Sequence, residues 1–318
     1  MGCIGSLLNK CNFLFLTFVF QMETAREQLL LLISTPLYAL VIGLEILLSA
    51  LHHRKWYSVK GTFYNIYLML LNIGLDFLML GVCLRLLAYF NSSSFFSVSE
   101  PIAYWIILLV AEDFLFYWLH YVDHFCRLFW AVHVTHHSSQ EFNLTVGFRS
   151  SVFQPLYRLL YFIPLAFAGF KPIDIMFMYS ATQIYGILIH TQYVGKLGIL
   201  EWFMATPSHH RVHHASNPRY LDKNLGMIFI VWDRIFGTFA PELDEEPVRF
   251  GLTKNINEVN PATVVFHEWI EIGNDMRKQL RLKHRLMYLF GPPGWSHDGS
   301  RKTSRQLEAE FFRSRKTE

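Results

Sequence analysis

Charge is scarce in this chain. Only 17% of its 318 residues are Asp, Glu, Lys or Arg, and together they leave a net charge of +3. That excess is too weak to suggest a nucleic-acid partner. Cysteine is scarcer: Cys3, Cys11, Cys83 and Cys126 are the four, without a CxxC or any regular spacing. A disulfide framework and an iron–sulfur site are excluded on that ground, and the cysteines read as reduced, buried thiols. The chain also lacks GxGxxG, Walker A and haem-attachment patterns, so it carries no evident nucleotide or haem cofactor of its own.

Apolar residues take that place. They make up 52% of the chain, with 29 Phe, 15 Tyr and 8 Trp, and the mean hydropathy is +0.25. Such an aromatic-heavy composition is compatible with lipid rather than with an ordinary soluble domain. Three runs are long enough to span a bilayer: 29–51 with Pro36 and Glu45 inside it, 63–90 with Asp76 and Arg85, and 102–120. Two further apolar stretches, 152–170 and 173–190, flank "GFKP", which reads as the turn of a membrane hairpin. The stretch 226–239 lacks the length to span, as does 11–20. The latter reads as a signal-like or interfacial segment, or as upstream sequence if translation starts at Met22 rather than Met1. "MGCIGS" fits the myristoylation pattern at Gly2, with Cys3 as a palmitoylation site. The expected fold is therefore all-α, a multi-pass transmembrane helical bundle.

Sidedness follows from the loops. Arg54, Lys55 and Lys60 lie in 52–60, whereas 91–100 carries no Lys or Arg. The positive-inside rule makes the first loop cytoplasmic, and the basic stretch 277–316 agrees with it. Counting spans forward, His120, His190 and the cluster at 209–214 emerge in that same compartment. Of the two sequons, Asn91 falls in the outer loop and is open to glycosylation, whereas Asn143 lies with the cytoplasmic cluster.

Histidine supplies the chemistry. "HYVDH" places His120 and His124 four apart; "HVTHH" places His133, His136 and His137 at i, i+3 and i+4; "HHRVHH" repeats that spacing at His210, His213 and His214, with His209 beside it. His190 ends the hairpin. Residues three and four apart share a helix face, so each cluster aims its imidazoles at one region. A single histidine is more simply a satisfied polar residue, but ten at one membrane face are costly to bury neutral and mutually repulsive when charged. Metal accepts the lone pairs, and ten ligands exceed what one ion uses, which implies two. Imidazole suits zinc, copper, iron and nickel alike. The peptidase motif HExxH fails because Tyr121 occupies the place of Glu, and a transporter would hold its ligands at mid-membrane depth. Iron with O₂ chemistry accounts for a site set against lipid. The remaining histidines (His52, His53, His267, His284 and His297) fall outside the clusters.

The ordered set HxxxH, HxxHH, a lone His after a hairpin and HxxHH, over roughly 111–241, resembles the membrane di-iron fatty acid hydroxylase superfamily, which includes sterol desaturases. "TPSHHRVHH", "DKN" and "WDRIFGTF" are similar to its alkylglycerol monooxygenase branch and the bacterial relatives of that branch. Tyr121 departs from the basic residue usual there, and the chain has fewer spans than the animal enzymes. The resemblance implies two irons held by His120, His124, His133, His136, His137, His190, His210, His213 and His214, with His209 the least secure, in a cytoplasmic cap on the bundle. It also implies an O₂-dependent lipid hydroxylase acting on a fatty acyl, sterol or alkylglycerol ether lipid. A desaturase on the same centre and a non-catalytic metal-binding or transport protein are the alternatives. Electrons would come from tetrahydrobiopterin, a ferredoxin or a b-type cytochrome.

Metal-bound histidines need their other N–H held, commonly by carboxylates. Glu112, Asp113, Asp123, Glu141, Asp222 and Asp233 are candidates by proximity, as are Asn143 and Asn224; each alone is as readily a solvated or capping residue. The chain thus divides into an N-terminal segment 1–28, transmembrane helices 29–110, a di-iron domain 111–241 that includes the hairpin 152–190, and a basic cytoplasmic tail 242–318. The expected home is a bacterial inner membrane or the endoplasmic reticulum.

Overall fold

The computed structural model describes residues 25–94, 100–256 and 260–315. The expectations for Gly2, Cys3, Cys11, the run 11–20 and the choice between Met1 and Met22 lie outside those residues. Among the described residues the fold is helical, with no strand beyond the isolated bridges Met204–Phe229 and Ala215–Phe250.

Among the described residues, three helices are long and apolar enough to cross a membrane: α1 (Ala25–Leu51, apolar from Leu32), α2 (Val59–Asn91) and α3 (Pro101–Phe125). Their ends follow local rules. Ser58 caps α2 by accepting from the Gly61 N–H at 2.9 Å, and Glu100 caps α3 ahead of Pro101, the position where a missing N–H costs nothing. Leu32, Leu40, Phe77 and Leu78 are exposed side chains on these helices, a surface that only lipid covers favourably. Three such helices make the chain an integral membrane protein.

Beyond Cys126, which is extended at φ −121°, the chain turns into α4 (Arg127–His137). The apolar run from 152 does not begin as α-helix. It forms the short 3-10 turn Gln154–Leu156, and α5 starts only at Leu159 and ends at Phe167. Pro155 sits inside that turn, and nine residues rise only about 14 Å at 1.5 Å per residue. The hairpin therefore enters the bundle without crossing it on its first arm. It reverses at Gly169, φ +102°, into α6 (Pro172–Leu188). Leu159, Phe162 and Leu165 of α5 and Ile175 and Met178 of α6 pack into one core with Leu87 of α2 and Leu108 and Phe116 of α3.

The Asn91 amide donates to the Ala166 and Phe170 carbonyls at 3.1 and 3.0 Å, fastening the hairpin turn to the end of α2. A glycan on that nitrogen would break both bonds, which argues against the modification the sequon suggests.

The remainder caps the bundle: α7 (Pro207–His213), α8 (Val231–Phe236), α9 (Pro261–Met276), α10 (Leu282–Phe290) and α11 (Ser304–Ser314). Cys83 is buried and Cys126 half-buried, both free thiols. Glu45, within the α1 span, is buried and hydrogen-bonded: it accepts from the Thr191 hydroxyl at 2.5 Å, from the Leu144 N–H at 2.9 Å and from the Tyr57 hydroxyl. The first span is thereby tied to the residue next to His190.

Candidate metal centre

Four elements deliver the histidines. His120 and His124 come from the end of α3, His133, His136 and His137 from α4, His190 from just past α6, and His210, His213 and His214 from α7 and its cap. Nine of the ten converge, in two groups. His120, His124, His133, His137 and His213 form one; His136, His190, His210 and His214 form the other, and within each group one nitrogen per ring lies within 4.8 Å of all the rest. Each HxxHH cluster is shared out between the groups. From α4 the i and i+4 residues enter the five-membered group and i+3 the other; from α7 the assignment is reversed.

His209 lies in neither group. Its Nδ1 accepts from the Thr206 N–H at 3.3 Å, closing the first turn of α7, and its ring packs 5.6 Å from Phe239.

The hydrogen bonds on the outer side of the rings fix their tautomers. His120 Nδ1 lies 2.7 Å from the Leu225 carbonyl, His190 Nδ1 2.7 Å from Gly186, His136 Nδ1 3.0 Å from Arg149 and His213 Nδ1 3.0 Å from Lys223. A carbonyl only accepts, so these four Nδ1 atoms carry the proton and each neutral ring keeps a lone pair on Nε2. Those lone pairs crowd inward. His120 Nε2 stands 3.0 Å from His133 Nε2, His210 Nε2 stands 2.9 Å from His190 Nε2, and His214 Nε2 lies 3.2 Å from the latter. The Nε2 atoms of His124 and His213 are buried without a partner among the described residues. A proton can bridge one such pair; a metal ion satisfies several at once. Burial first, and the neighbouring imidazoles after it, push His133, His137, His210, His213 and His214 well below the usual 6.5. Burial likewise takes His136 down to about 4. Neutral, inward-facing imidazoles are the form that binds metal, so the donor set fits a metal ion in each group.

The carboxylates divide by what they touch. Asp222 Oδ1 lies 3.1 Å from His124 Nδ1, and Asp123 Oδ2 lies 3.8 Å from His133 Nδ1, which also faces the Ser151 hydroxyl at 3.2 Å. Asp233 acts one step back: it accepts from the Leu225 and Gly226 N–H groups at 2.7 and 2.8 Å and so sets the carbonyl that holds His120. Asp113 receives the Ile228 and Phe229 N–H groups and the Trp232 indole. Asn224, at φ +55° in the loop before α8, ties that loop to α7 and to the segment after α8 by donating to the His209 and Ala240 carbonyls. Glu141 accepts from the Ser58 N–H at 3.2 Å, Asn143 caps a 3-10 turn, and Glu112 takes the Thr182 hydroxyl at 3.4 Å. Among the described residues, none of the hydrogen bonds of these three reaches a histidine ring.

The carbonyl partners were invisible to sequence reasoning, because any residue has one. Arg149 and Ser151 had one available signal: they stand in "GFRSS", a polar break ahead of an apolar run. The Arg149 guanidinium, buried, donates to the Thr135 carbonyl at 3.0 Å and to the Ser138 hydroxyl at 2.8 Å, pinning the end of α4. A cavity of about 90 Å³ opens below the rings, with Phe116, Met227, Gly186 and Ile187 in its wall beside His120, His133, His136, His190 and His210. Both groups thus face one shared cavity.

Residues 105–238 match the fatty acid hydroxylase family. Alkylglycerol monooxygenase of Xenopus tropicalis is 38% identical over 196 residues, covering 62% of this chain and 43% of the relative. The Homo sapiens protein of that name is 38% identical over 192 residues, covering 60% and 42%. Ornithine lipid hydroxylase OlsE of Rhizobium tropici is 26% identical over 166 residues, covering 52% and 50%. The chain therefore spans less than half the length of the alkylglycerol monooxygenases it matches. No solved structure matches it.

Proposed function

We propose that this chain, which carries a fatty acid hydroxylase domain at residues 105–238, is a membrane oxidoreductase that uses O₂ to hydroxylate a lipid at a di-iron centre. The observation that carries this reading is the convergence of nine imidazoles, eight buried and His136 half-buried, in two groups over one cavity. Two irons held there supply the oxygen activation that an unactivated C–H bond requires. The chain's own residues keep the ligand nitrogens deprotonated, hold the rings from behind through Leu225, Gly186, Arg149, Lys223 and Asp222, and keep bulk water away from the centre.

The reaction takes up O₂, two electrons and two protons and returns hydroxylated lipid and water. Its electrons come from a separate donor of one of three classes: tetrahydrobiopterin, a ferredoxin or a b-type cytochrome with its reductase. The names of the relatives make alkylglycerol ether lipids the first substrates to test.

Contacts support a cytoplasmic site on a multi-pass protein. The basic loop 52–60 meets the segment after α4, where Ser58 N–H donates to Glu141 and the Asn143 amide donates to the Trp56 carbonyl at 2.5 Å. The positive-inside loop and the histidines thereby share one end of the bundle.

The test is iron content with Mössbauer spectroscopy on detergent-purified protein, beside His136→Ala and His213→Ala, which remove one ligand from each group. Spin-coupled iron near two per chain, lowered in both variants, is expected. Stoichiometric zinc without iron, after expression with iron supplied, would overturn the reading. Product analysis then separates hydroxylation from desaturation.

A further inference from the structure

The cavity beneath the histidines lies within a membrane protein, yet its wall is not purely apolar. Asn72, Gln154, Arg158, Tyr179 and Gln183 all line it. Most of their donors are engaged inside the protein. The Asn72 amide donates to the Ser151 carbonyl at 3.0 Å, and the Gln154 amide to Asp123 at 3.0 Å. Arg158 donates to Asp76 and, at 2.9 Å, to the Tyr179 hydroxyl. Gln183 differs: its amide nitrogen is buried and has no partner among the described residues.

A buried donor left unpaired keeps its full desolvation cost, and polar side chains at membrane depth commonly mark the path of a substrate. We infer that Gln183 is a substrate-binding residue, whose amide donates a hydrogen bond to an uncharged oxygen of the lipid (ether, ester or hydroxyl) inside this cavity. The inference rests on the hydroxylase reading above and deepens it.

Two features narrow the ligand. Arg158 is matched by Asp76, so the pocket carries no free cation to select a phosphate or carboxylate. Along α6, Tyr179, Gln183 and Gly186 recur at three- or four-residue steps, which puts them on one helix face, and His190 follows just past the end of that helix. Gln183 lies about 7.5 Å at 1.5 Å per residue before Leu188, where α6 ends two residues short of His190. An oxygen gripped at Gln183 therefore sets how far the lipid enters, and so which carbon meets the histidines. Gly186, between them, keeps the passage narrow but open: a Cβ there would lie 2.5 Å from Met227 Sδ.

The test uses the full chain in lipid nanodiscs, with 1-O-hexadecylglycerol and hexadecane as paired probes and ligand-dependent thermal stabilisation as the readout. Wild type is expected to prefer the ether lipid. Gln183→Met, which keeps the length and removes the amide, should reduce that preference about five- to tenfold, the range of one neutral hydrogen bond. Gln183→Asn should retain part of it, and all three proteins should hold equal iron. Equal preference in wild type and Gln183→Met would overturn the inference, as would a wild type without preference or an equal loss for both probes. Product formation is read separately by mass spectrometry. Preference without product refutes only the hydroxylase reading, and product without a preference that depends on Gln183 refutes only this one.

Discussion

Asp222 holds His124 from behind: its Oδ1 lies 3.1 Å from Nδ1, while Nε2 on the other side of the ring is buried without a partner among the described residues. The carboxylate therefore orients the ring and makes the inward nitrogen a better donor to metal. Asp222 also sits at φ +56°, a conformation that Asn tolerates and Ala does not. Asp222→Asn is expected to fold normally and to hold metal in the five-histidine group about tenfold more weakly, the lower end for loss of such a partner. Asp222→Ala should add a drop in melting temperature. Iron retention against a chelator series checks both, and unchanged retention in Asp222→Asn would remove the carboxylate from the centre.

A second carboxylate holds the cap together. Asp275, 2% exposed, receives Arg127 at 2.7 Å, Lys278 at 2.6 Å and Arg301 at 2.5 Å, and Arg127 also meets Glu268. Burial pushes the Asp275 carboxyl up, but the hydrogen bonds from Lys278, Arg301 and Arg127 outweigh it and hold the group at about 2, against 3.8 ordinarily. A depressed carboxylate pKa stabilises the fold above the unfolded value and loses that contribution as pH falls from 3.8 towards 2. Asp275→Asn should cost about 3 kcal/mol near neutral pH, because Arg127 is left buried with a weakened partner set. The gap in melting temperature between wild type and variant should be constant above pH 5 and should close below pH 3.8. A gap that persists undiminished at pH 2.5 would show that the charge is not what matters.

Much of this was legible in the chain itself, for physical reasons. Apolar runs of bilayer length have few other uses, and α1, α2 and α3 form where those runs stand. The third helix continues past His120 to Phe125, because His124 is a buried residue packed among the other imidazoles rather than the start of a polar loop. Spacing alone showed that His133, His136 and His137 share a helix face. It could not show that His136 parts from its neighbours to join His190, since that depends on how the fold brings the rings of His190 and His214 against His136. Nor could it separate Asp222, which reaches a ring, from Glu141, which binds the backbone of Ser58 83 residues earlier in the chain.

Gly226 tests how the backbone behind the rings is built. A Cβ at this position would lie 2.3 Å from the Phe229 carbonyl and 3.0 Å from Asp233 Oδ2, and the first of these is backbone that cannot rotate away. The same turn presents the Leu225 carbonyl to His120. Gly226→Ala should therefore cost about 1–3 kcal/mol through overpacking, roughly 2–4 °C in melting temperature per kcal/mol for a protein of this size. It should also lower iron in the five-histidine group before the other. Calorimetry with metal analysis checks this, and a variant melting with wild type would show that the turn relaxes freely.

His209 and His213 lie four residues apart on one short helix, and the structure separates their roles. His213 belongs to the five-histidine group, whereas His209 Nδ1 accepts from Thr206 N–H and closes the start of α7. A glutamine at the third helical position can accept from the same N–H, as in a capping box. His209→Gln is thus expected to keep wild-type iron and nearly wild-type stability. His209→Ala should keep the iron but lose about 1 kcal/mol, the usual contribution of a cap. His213→Ala should lose iron while still folding, because it vacates a ligand position and leaves the cap in place. If His209→Gln loses as much iron as His213→Ala, then His209 is a tenth ligand and the turn at Thr206 is incidental to it.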